Sequence, residues 1–171
     1  EMFLGPLEAV KPWSEKGIEG VHRFLKKVHR ECLQTEKHVQ DEEANKETLK
    51  VLHETIIKVT EAIEDLRFNV AISQMMILIN QLQKAEPYSK NSIQVLIQLL
   101  EPFAPHLAEE LWESLGGKPS IANEPWPKAQ EELLVADEIT IVFQVNGKLR
   151  GEGQFPKDVD KETVLSAAKA D

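Results

Sequence analysis

The chain has 171 residues, 42% of them hydrophobic and a single one cysteine, with a formal net charge of −9. That is enough apolar content for a real core, while a lone cysteine excludes a disulfide framework and makes the cytoplasm the expected setting. No apolar run nears the roughly 18 residues that span a membrane, and no export signal opens the chain, so no membrane association is expected.

Residues 1–13 are apolar and punctuated by Gly5, Pro6 and Pro12, the pattern of an extended lead-in. Ser14 is a suitable N-cap for a first helix running to about Gln34. Gly17 and Gly20 lie inside that helix, where each costs roughly 1 kcal/mol against Ala, so another backbone or a ligand is expected to approach there. Between residues 11 and 30, Lys11, Lys16, Arg23, Lys26, Lys27 and Arg30 stand against only Glu15 and Glu19, a local charge of +4, while the other 151 residues carry −13. At about 100° per residue, Lys16, Lys26, Lys27 and Arg30 share with Arg23 an arc about 100° wide. Ile18, Val21, Leu25, Val28 and Cys32 take the opposite side. One face is built for burial and the other to meet something negative. The same pattern also suits a merely solvated face, with Glu19 four residues before Arg23 as an internal pair. Cys32, on the apolar arc, is expected to be a small buried hydrophobe.

Residues 36–47 are almost wholly polar and form an expected exposed connection. Leu49, Leu52, Ile56, Val59, Ile63 and Leu66 then repeat at spacings of three and four, the seam of a bundle helix. Leu66-Arg67-Phe68-Asn69 interrupts the seam, with Asn69 placed to cap the next helix. Residues 70–82 are apolar nearly all round, which predicts the most buried helix of a bundle, with Met75 and Met76 as filler. A fourth helix is expected over 89–101. Pro105 opens a fifth that ends at Gly116-Gly117, with Glu109, Glu110 and Glu113 facing water.

After residue 117 the texture changes. Glu124-Pro125-Trp126-Pro127 is a loop with an aromatic anchor, 139–145 is strand-like, Asn146-Gly147 is a turn signal, and a second strand returns over 148–155. Strict two-residue closure opposes Phe143 to Arg150 and Ile141 to Glu152, mixing charge into the apolar face. A shift by one pairs Ile139 with Phe155, Val145 with Leu149 and Gln144 with Arg150, so a longer loop or a bulge near Gly151 or Gly153 is expected. A short helix follows from about Lys161. Two strands and a helix make an incomplete domain. The start at Glu1 rather than Met, and the stop within an apparent helix, fit a piece excised from something larger.

The fold class expected is therefore mainly α: a bundle of about five helices, then a small α+β segment with one antiparallel hairpin. The divisions are a lead-in at 1–13, a bundle at 14–116, a Pro/Trp-anchored connection at 117–137 and an incomplete domain at 138–171. No Gly-rich phosphate loop, metal-ligand cluster or nucleophile constellation is present. His22 and His29, seven apart on the first helix, lack a third ligand. His53 and His106 stand alone on amphipathic helices, and the carboxylates are scattered over solvated faces. No catalysis is expected of this chain by itself.

Five separated anchors in order carry a resemblance: Met2-Phe3-Leu4-Gly5-Pro6 with Pro12-Trp13-Ser14, Gly17, Gly20 and Arg23-Phe24-Leu25; Leu66-Arg67-Phe68-Asn69 with Ala71-Ile72; Pro102-Phe103-Ala104-Pro105-His106; Glu109-Glu110-Leu111-Trp112; and Val145-Asn146-Gly147-Lys148-Leu149-Arg150-Gly151. Over essentially its whole length the chain resembles the C-terminal part of bacterial-type leucyl-tRNA synthetases. The Pro102–Trp112 anchors are shared by the Leu, Ile and Val branches, and the last anchor points to leucine. His29 departs from the family, which has Trp there, so a stacking role is not carried over.

The resemblance implies an anticodon-binding-type bundle that grips the tRNA body without reading anticodon bases, together with the opening of a small C-terminal domain. The parent would be a class I enzyme of protein biosynthesis that charges tRNA with leucine, its catalytic and editing domains lying upstream in the same chain. ATP and Mg2+ would be used by that missing catalytic domain, and no cofactor is expected here. The partner would be leucine-accepting tRNA, held by a monomer. Lys16, Arg23, Lys26, Lys27 and Arg30 would meet backbone phosphates, Arg67 and Asn69 would add contacts at the mid-bundle motif, and Lys148 and Arg150 would alternate onto one side of the hairpin toward the tRNA elbow. Two other readings stand beside this one: the tRNA-binding bundle of an Ile- or Val-type synthetase, and a non-enzymatic helical module for protein–protein contact.

Overall fold

The computed structural model describes residues 2–12, 14–34, 38–39, 44–85, 88–118, 120–134, 138–145, 148–156, 161 and 164–165. They belong to two compact units, Glu1–Glu131 and Glu132–Asp171. The first is mainly helical, with five α-helices among the described residues: α1 (Glu15–Leu33), α2 (Lys46–Glu64), α3 (Phe68–Lys84), α4 (Lys90–Leu100) and α5 (Pro105–Ser114). Trp13 and half of the polar connection at 36–47 lie outside the described residues, although His38–Val39 (β1) pairs parallel with Tyr88–Ser89 (β2).

The lead-in does not run extended as predicted. It turns, with the Ala9 N–H donating to the Pro6 carbonyl at 3.1 Å and Gly5 at a φ of +152°. The fold-back brings Leu4 against α1, where a Cβ on Gly17 would collide with Leu4 Cδ2. Gly17 thus serves the close approach the sequence implied, by a side chain rather than a backbone. Gly20 has nothing within 4 Å of where its Cβ would stand. Ser14 caps α1 by accepting from the Gly17 N–H at 3.4 Å, and Asn45 caps α2 by accepting from the Thr48 N–H at 2.9 Å.

Helix α2 ends in a paired-bond motif: the Leu66 N–H reaches the Ile63 carbonyl at 3.0 Å and the Arg67 N–H reaches the Ala62 carbonyl at 2.7 Å. This geometry needs a left-handed residue between helix and exit, usually glycine, and Leu66 supplies it at φ 57°. Leu66 is consequently 58% exposed and leaves the seam, whose buried members are Leu52, Ile56 and Val59. Asn69 does not cap α3, because the helix has already begun at Phe68, with Arg67 in the cap position and no side-chain cap bond.

Helix α3 is also less enclosed than its composition predicts. It buries Ala71, Ile72, Met75, Leu78, Ile79 and Leu82, but Ile77 is 51% exposed, and Asn80 and Lys84 line the same outer stripe. The most enclosed helix is α4, where Ile93, Leu96, Ile97, Leu99 and Leu100 are fully buried because α2, α3 and α5 all pack against it. Helix α5 starts on Pro105 as expected and closes with a second paired-bond motif, Gly116 at φ +81° taking the left-handed position. Gly117 must lack a Cβ, which would strike the Trp112 indole.

In the second unit, β3 (Glu138–Val145) and β4 (Lys148–Pro156) are paired antiparallel. The register combines the two alternatives. At one end of the ladder Val145 opposes Lys148 and Gln144 opposes Leu149, not the expected Leu149 and Arg150. One residue is then skipped, so that Phe143 opposes Gly151 and Ile139 opposes Phe155. The irregularity falls at Arg150, the residue before Gly151, with the pairs from Phe143–Gly151 to Ile139–Phe155 keeping the shifted register. Asn146, Gly147 and most of the helix expected from about Lys161 lie outside the described residues.

Leu78 is fully buried, so Leu78→Ala is expected to destabilise the chain by about 2–5 kcal/mol in denaturant titration. The two α1 glycines should separate. Gly20→Ala is expected to stabilise by about 0.5–1 kcal/mol, whereas Gly17→Ala, colliding with Leu4, is expected to give no gain in the same titration.

Candidate nucleic-acid interface

Helix α1 buries Phe24, Val28, Cys32 and Glu31, with Val21 and Leu25 half-buried. The buried face is rotated from the predicted one: Phe24 replaces Ile18, which is 44% exposed. The rotation leaves Lys16, Arg23, Lys26 and Arg30 exposed and draws Lys27 to the edge, where it is half-buried. Lys16, Arg23 and Lys26 make no hydrogen bond or ion pair with any described residue, and the expected Glu19–Arg23 pair does not form.

The other two cations are tied into the seam with α3. Lys27 Nζ donates to Asn80 Oδ1. Its partial burial lowers the ammonium pKa, opposed by the nearby Glu31 carboxylate and reinforced by Arg30. Arg30 donates from Nε at 2.9 Å and from Nη2 at 2.7 Å to Glu31 Oε1, and Gln83 Nε2 reaches the same oxygen at 2.7 Å. Glu31 is 1% exposed, a carboxylate inside the face predicted to be apolar. Its place in the sequence, three residues after Val28 and just before Cys32, was the available signal. Burial, with Glu31 adding to it, pushes the Cys32 thiol pKa up to about 12, so the buried-hydrophobe reading holds and nucleophilic chemistry is disfavoured.

The remaining sequence-predicted contacts are dispersed. Arg67 is exposed at the α2–α3 corner and its Nη2 meets Asp65 Oδ2 at 2.6 Å. Asn69 is half-buried, with no hydrogen-bond partner for Oδ1 among the described residues. Lys148 and Arg150 belong to β4, with Arg150 at the register shift.

The connection after α5 is strapped to the bundle by side chains whose roles the sequence did not disclose. Glu109, expected to face water, accepts from the Ser120 hydroxyl and from the Ile121 N–H, the latter at 3.2 Å. These bonds, the Ser120 one foremost, hold its carboxyl below the usual range. The Trp126 indole donates to Thr60 Oγ1 at 2.9 Å, which in turn donates to the Ile56 carbonyl at 2.7 Å, giving the predicted aromatic anchor its partner. The Gln130 N–H donates to His53 Nδ1 at 3.1 Å, a bond only the neutral imidazole accepts. Among the described residues no three His, Cys, Asp or Glu side chains are grouped to hold a metal, and no helix is long and apolar enough to cross a membrane.

Residues 45–165 match the family described as the anticodon-binding domain of tRNA ligase. Over 173 aligned residues the chain is 49% identical to a leucine–tRNA ligase of Chlorobaculum tepidum, covering 99% of this chain and 21% of the relative. It is 46% identical over 172 residues to that of Leptospira biflexa, covering 99% and 20%. The crystal structure of a LeuRS–tRNA–LeuAMS ternary complex from Agrobacterium radiobacter superposes with a TM-score of 0.77 at 32% identity, covering 99% of this chain and 24% of that one. The chain thus spans about one fifth of the length of the curated relatives it matches. The family match begins at α2, whereas these whole-chain alignments also take in α1.

The strap carries a pH dependence. Burial lowers the His53 pKa below its ordinary 6.5, so above pH 6.5 both folded and unfolded chains hold it neutral and its contribution is fully present. As pH falls through 6.5 the unfolded chain takes up the proton first, and stability is lost progressively down to the lower folded pKa. Thermal melts from pH 7.5 to 5 are expected to show this loss. His53→Asn, whose Oδ1 accepts the Gln130 bond at any pH, is expected to flatten it.

Proposed function

The chain belongs to the anticodon-binding domain family of tRNA ligases, and from that premise we propose that it is the tRNA-gripping portion of a leucine–tRNA ligase. The observation that carries the reading is identity of 46–49% to leucine–tRNA ligases across 99% of the chain, which favours the leucine branch over Ile or Val and over a protein–protein module. A structural match that is itself a complex with tRNA supports tRNA as the partner. In the proposed arrangement residues 1–13 lead in, 14–116 form the bundle, 117–137 connect, and 138–171 open a small α+β domain whose paired strands make one hairpin turned at Asn146-Gly147. Catalytic and editing domains lie upstream in the same chain, and ATP and Mg2+ serve the former. This portion by itself activates no amino acid. The parent enzyme acts as a cytoplasmic monomer.

The grip is on phosphates. Lys16, Arg23 and Lys26 project from α1 as solvated cations without competing partners, and Arg30 stands beside them. Cations in a row position a backbone without reading sequence. Lys27, bonded to Asn80, supports the seam more than the contact. Arg67, Asn69, Lys148 and Arg150 are secondary contacts. Because the remainder of the chain is strongly acidic, the isolated chain binds tRNA weakly, at about micromolar Kd or weaker at physiological salt, as in non-specific binding.

Arg23→Glu with Lys26→Glu tests this without touching the buried Glu31 pair. Exposed charges contribute little to folding, so stability should hold while tRNA affinity and its salt dependence fall, the log–log slope becoming shallower by roughly 1.5–2. In the whole ligase the double variant is expected to impair tRNA charging and to spare ATP–pyrophosphate exchange, which needs no tRNA. Equal charging by variant and wild type across a salt series would remove α1 as the contact.

A further inference from the structure

Among the cations of α1, Arg30 is set apart by how it is held. Lys16, Arg23 and Lys26 make no bond with any described residue, but the Arg30 guanidinium is fixed along one edge, Nε and Nη2 both donating to Glu31 Oε1. That edge-on grip uses two of five N–H donors and leaves Nη1, with the outer hydrogen of Nη2, as a fork. The Arg30 side chain is 59% exposed while that of Glu31 is 2% exposed, so the pair has one member in the seam and the other at the surface. Such a fork matches the spacing of two phosphate oxygens.

We propose that Glu31 is a positioning residue for nucleic-acid binding: buried between α1 and α3, it holds Arg30 with its outer fork presented to a phosphate. The proposal rests on the tRNA-binding reading above. Gln83 is the second half of the device. By donating to the same Glu31 oxygen at 2.7 Å, it ties Arg30 through Glu31 to α3, so the guanidinium is referenced to the bundle and not merely to its own helix. Burying a carboxylate costs desolvation that an apolar side chain of the same size does not, so packing alone does not explain Glu31 between Val28 and Cys32. Orientation does. Binding a mobile arginine sacrifices rotamer freedom at the moment of contact, and here much of that freedom is already lost in the fold.

The proposal predicts a sign opposite to simple electrostatics. Removing a carboxylate next to a basic face should, by Coulomb attraction alone, tighten phosphate binding. If Glu31 positions Arg30, its removal weakens binding. The test is tRNA affinity of the 171-residue chain, measured by anisotropy with a leucine-tRNA transcript at several salt concentrations, for Glu31→Met, Glu31→Gln, Arg30→Ala and the Arg30→Ala, Glu31→Met double variant. Glu31→Met is expected to weaken binding by about two- to tenfold, the range for freeing one rotamer-rich side chain. Glu31→Gln, which keeps an acceptor, should lose less, and it supplies the same sign test should Glu31→Met fail to fold. In the Arg30→Ala background the Glu31→Met loss should vanish, a coupling that a general weakening of the bundle would not produce. Tighter binding by Glu31→Met or Glu31→Gln, or an undiminished Glu31→Met loss without Arg30, would overturn the positioning role while leaving tRNA binding intact. No effect of Arg30→Ala, together with none from Arg23→Glu and Lys26→Glu, would instead overturn the tRNA-binding face itself.

Discussion

The reversal at Leu66 is the constraint from which the rest of the bundle follows. Two backbone hydrogen bonds end α2 within a single left-handed residue, and α3 departs at once to pack along the helix it has just left. A non-glycine residue at positive φ is a strained choice, and the strain places Leu66 outside the core and Arg67 at an exposed corner. More consequentially, the departure sets the direction of α3, whose far end carries Asn80 and Gln83 to Lys27 and Glu31 of α1. The corner therefore governs which cations of α1 are tied down and which stay free.

On the proposed reading, that division of labour reconciles an acidic chain with a nucleic-acid partner. Long-range repulsion from a −9 chain would not be overcome by charge count, so the proposed contact depends on local arrangement: exposed, unpaired cations for attraction and a held arginine for direction. The acidic residues near the site are not all solvated surface. Glu31 accepts from Arg30 and Gln83, and Glu109 ties the segment at 120–121 to α5.

The helices were legible because their ends carry chemistry of their own: Ser14 before α1, Pro105 opening α5 and the Gly116-Gly117 pair closing it. The bulge near Gly151 was legible from the conflict between two registers, though its position at Arg150 was not. What the sequence concealed were partnerships. Periodicity places a residue on a helix face but does not say which neighbouring helix meets it, so the Lys27–Asn80 and Glu31–Gln83 bonds could not be read. The same blindness made α3 look like the central helix. Its composition is apolar nearly all round, but three helices pack against α3 and three against α4, and it is the shorter α4 that buries more of its length. Leu66 was misplaced in the seam because its spacing continued the repeat while its backbone did not.

Cys32 turns the chain into its own clock. As the sole thiol, fully enclosed on the inner side of α1 and with ionisation suppressed up to about 12, it is closed to alkylating reagents as long as α1 stays seated. Labelling then proceeds through openings that expose the inner side of α1, and where capture outpaces reclosing its rate counts the openings of the very element that carries the basic face.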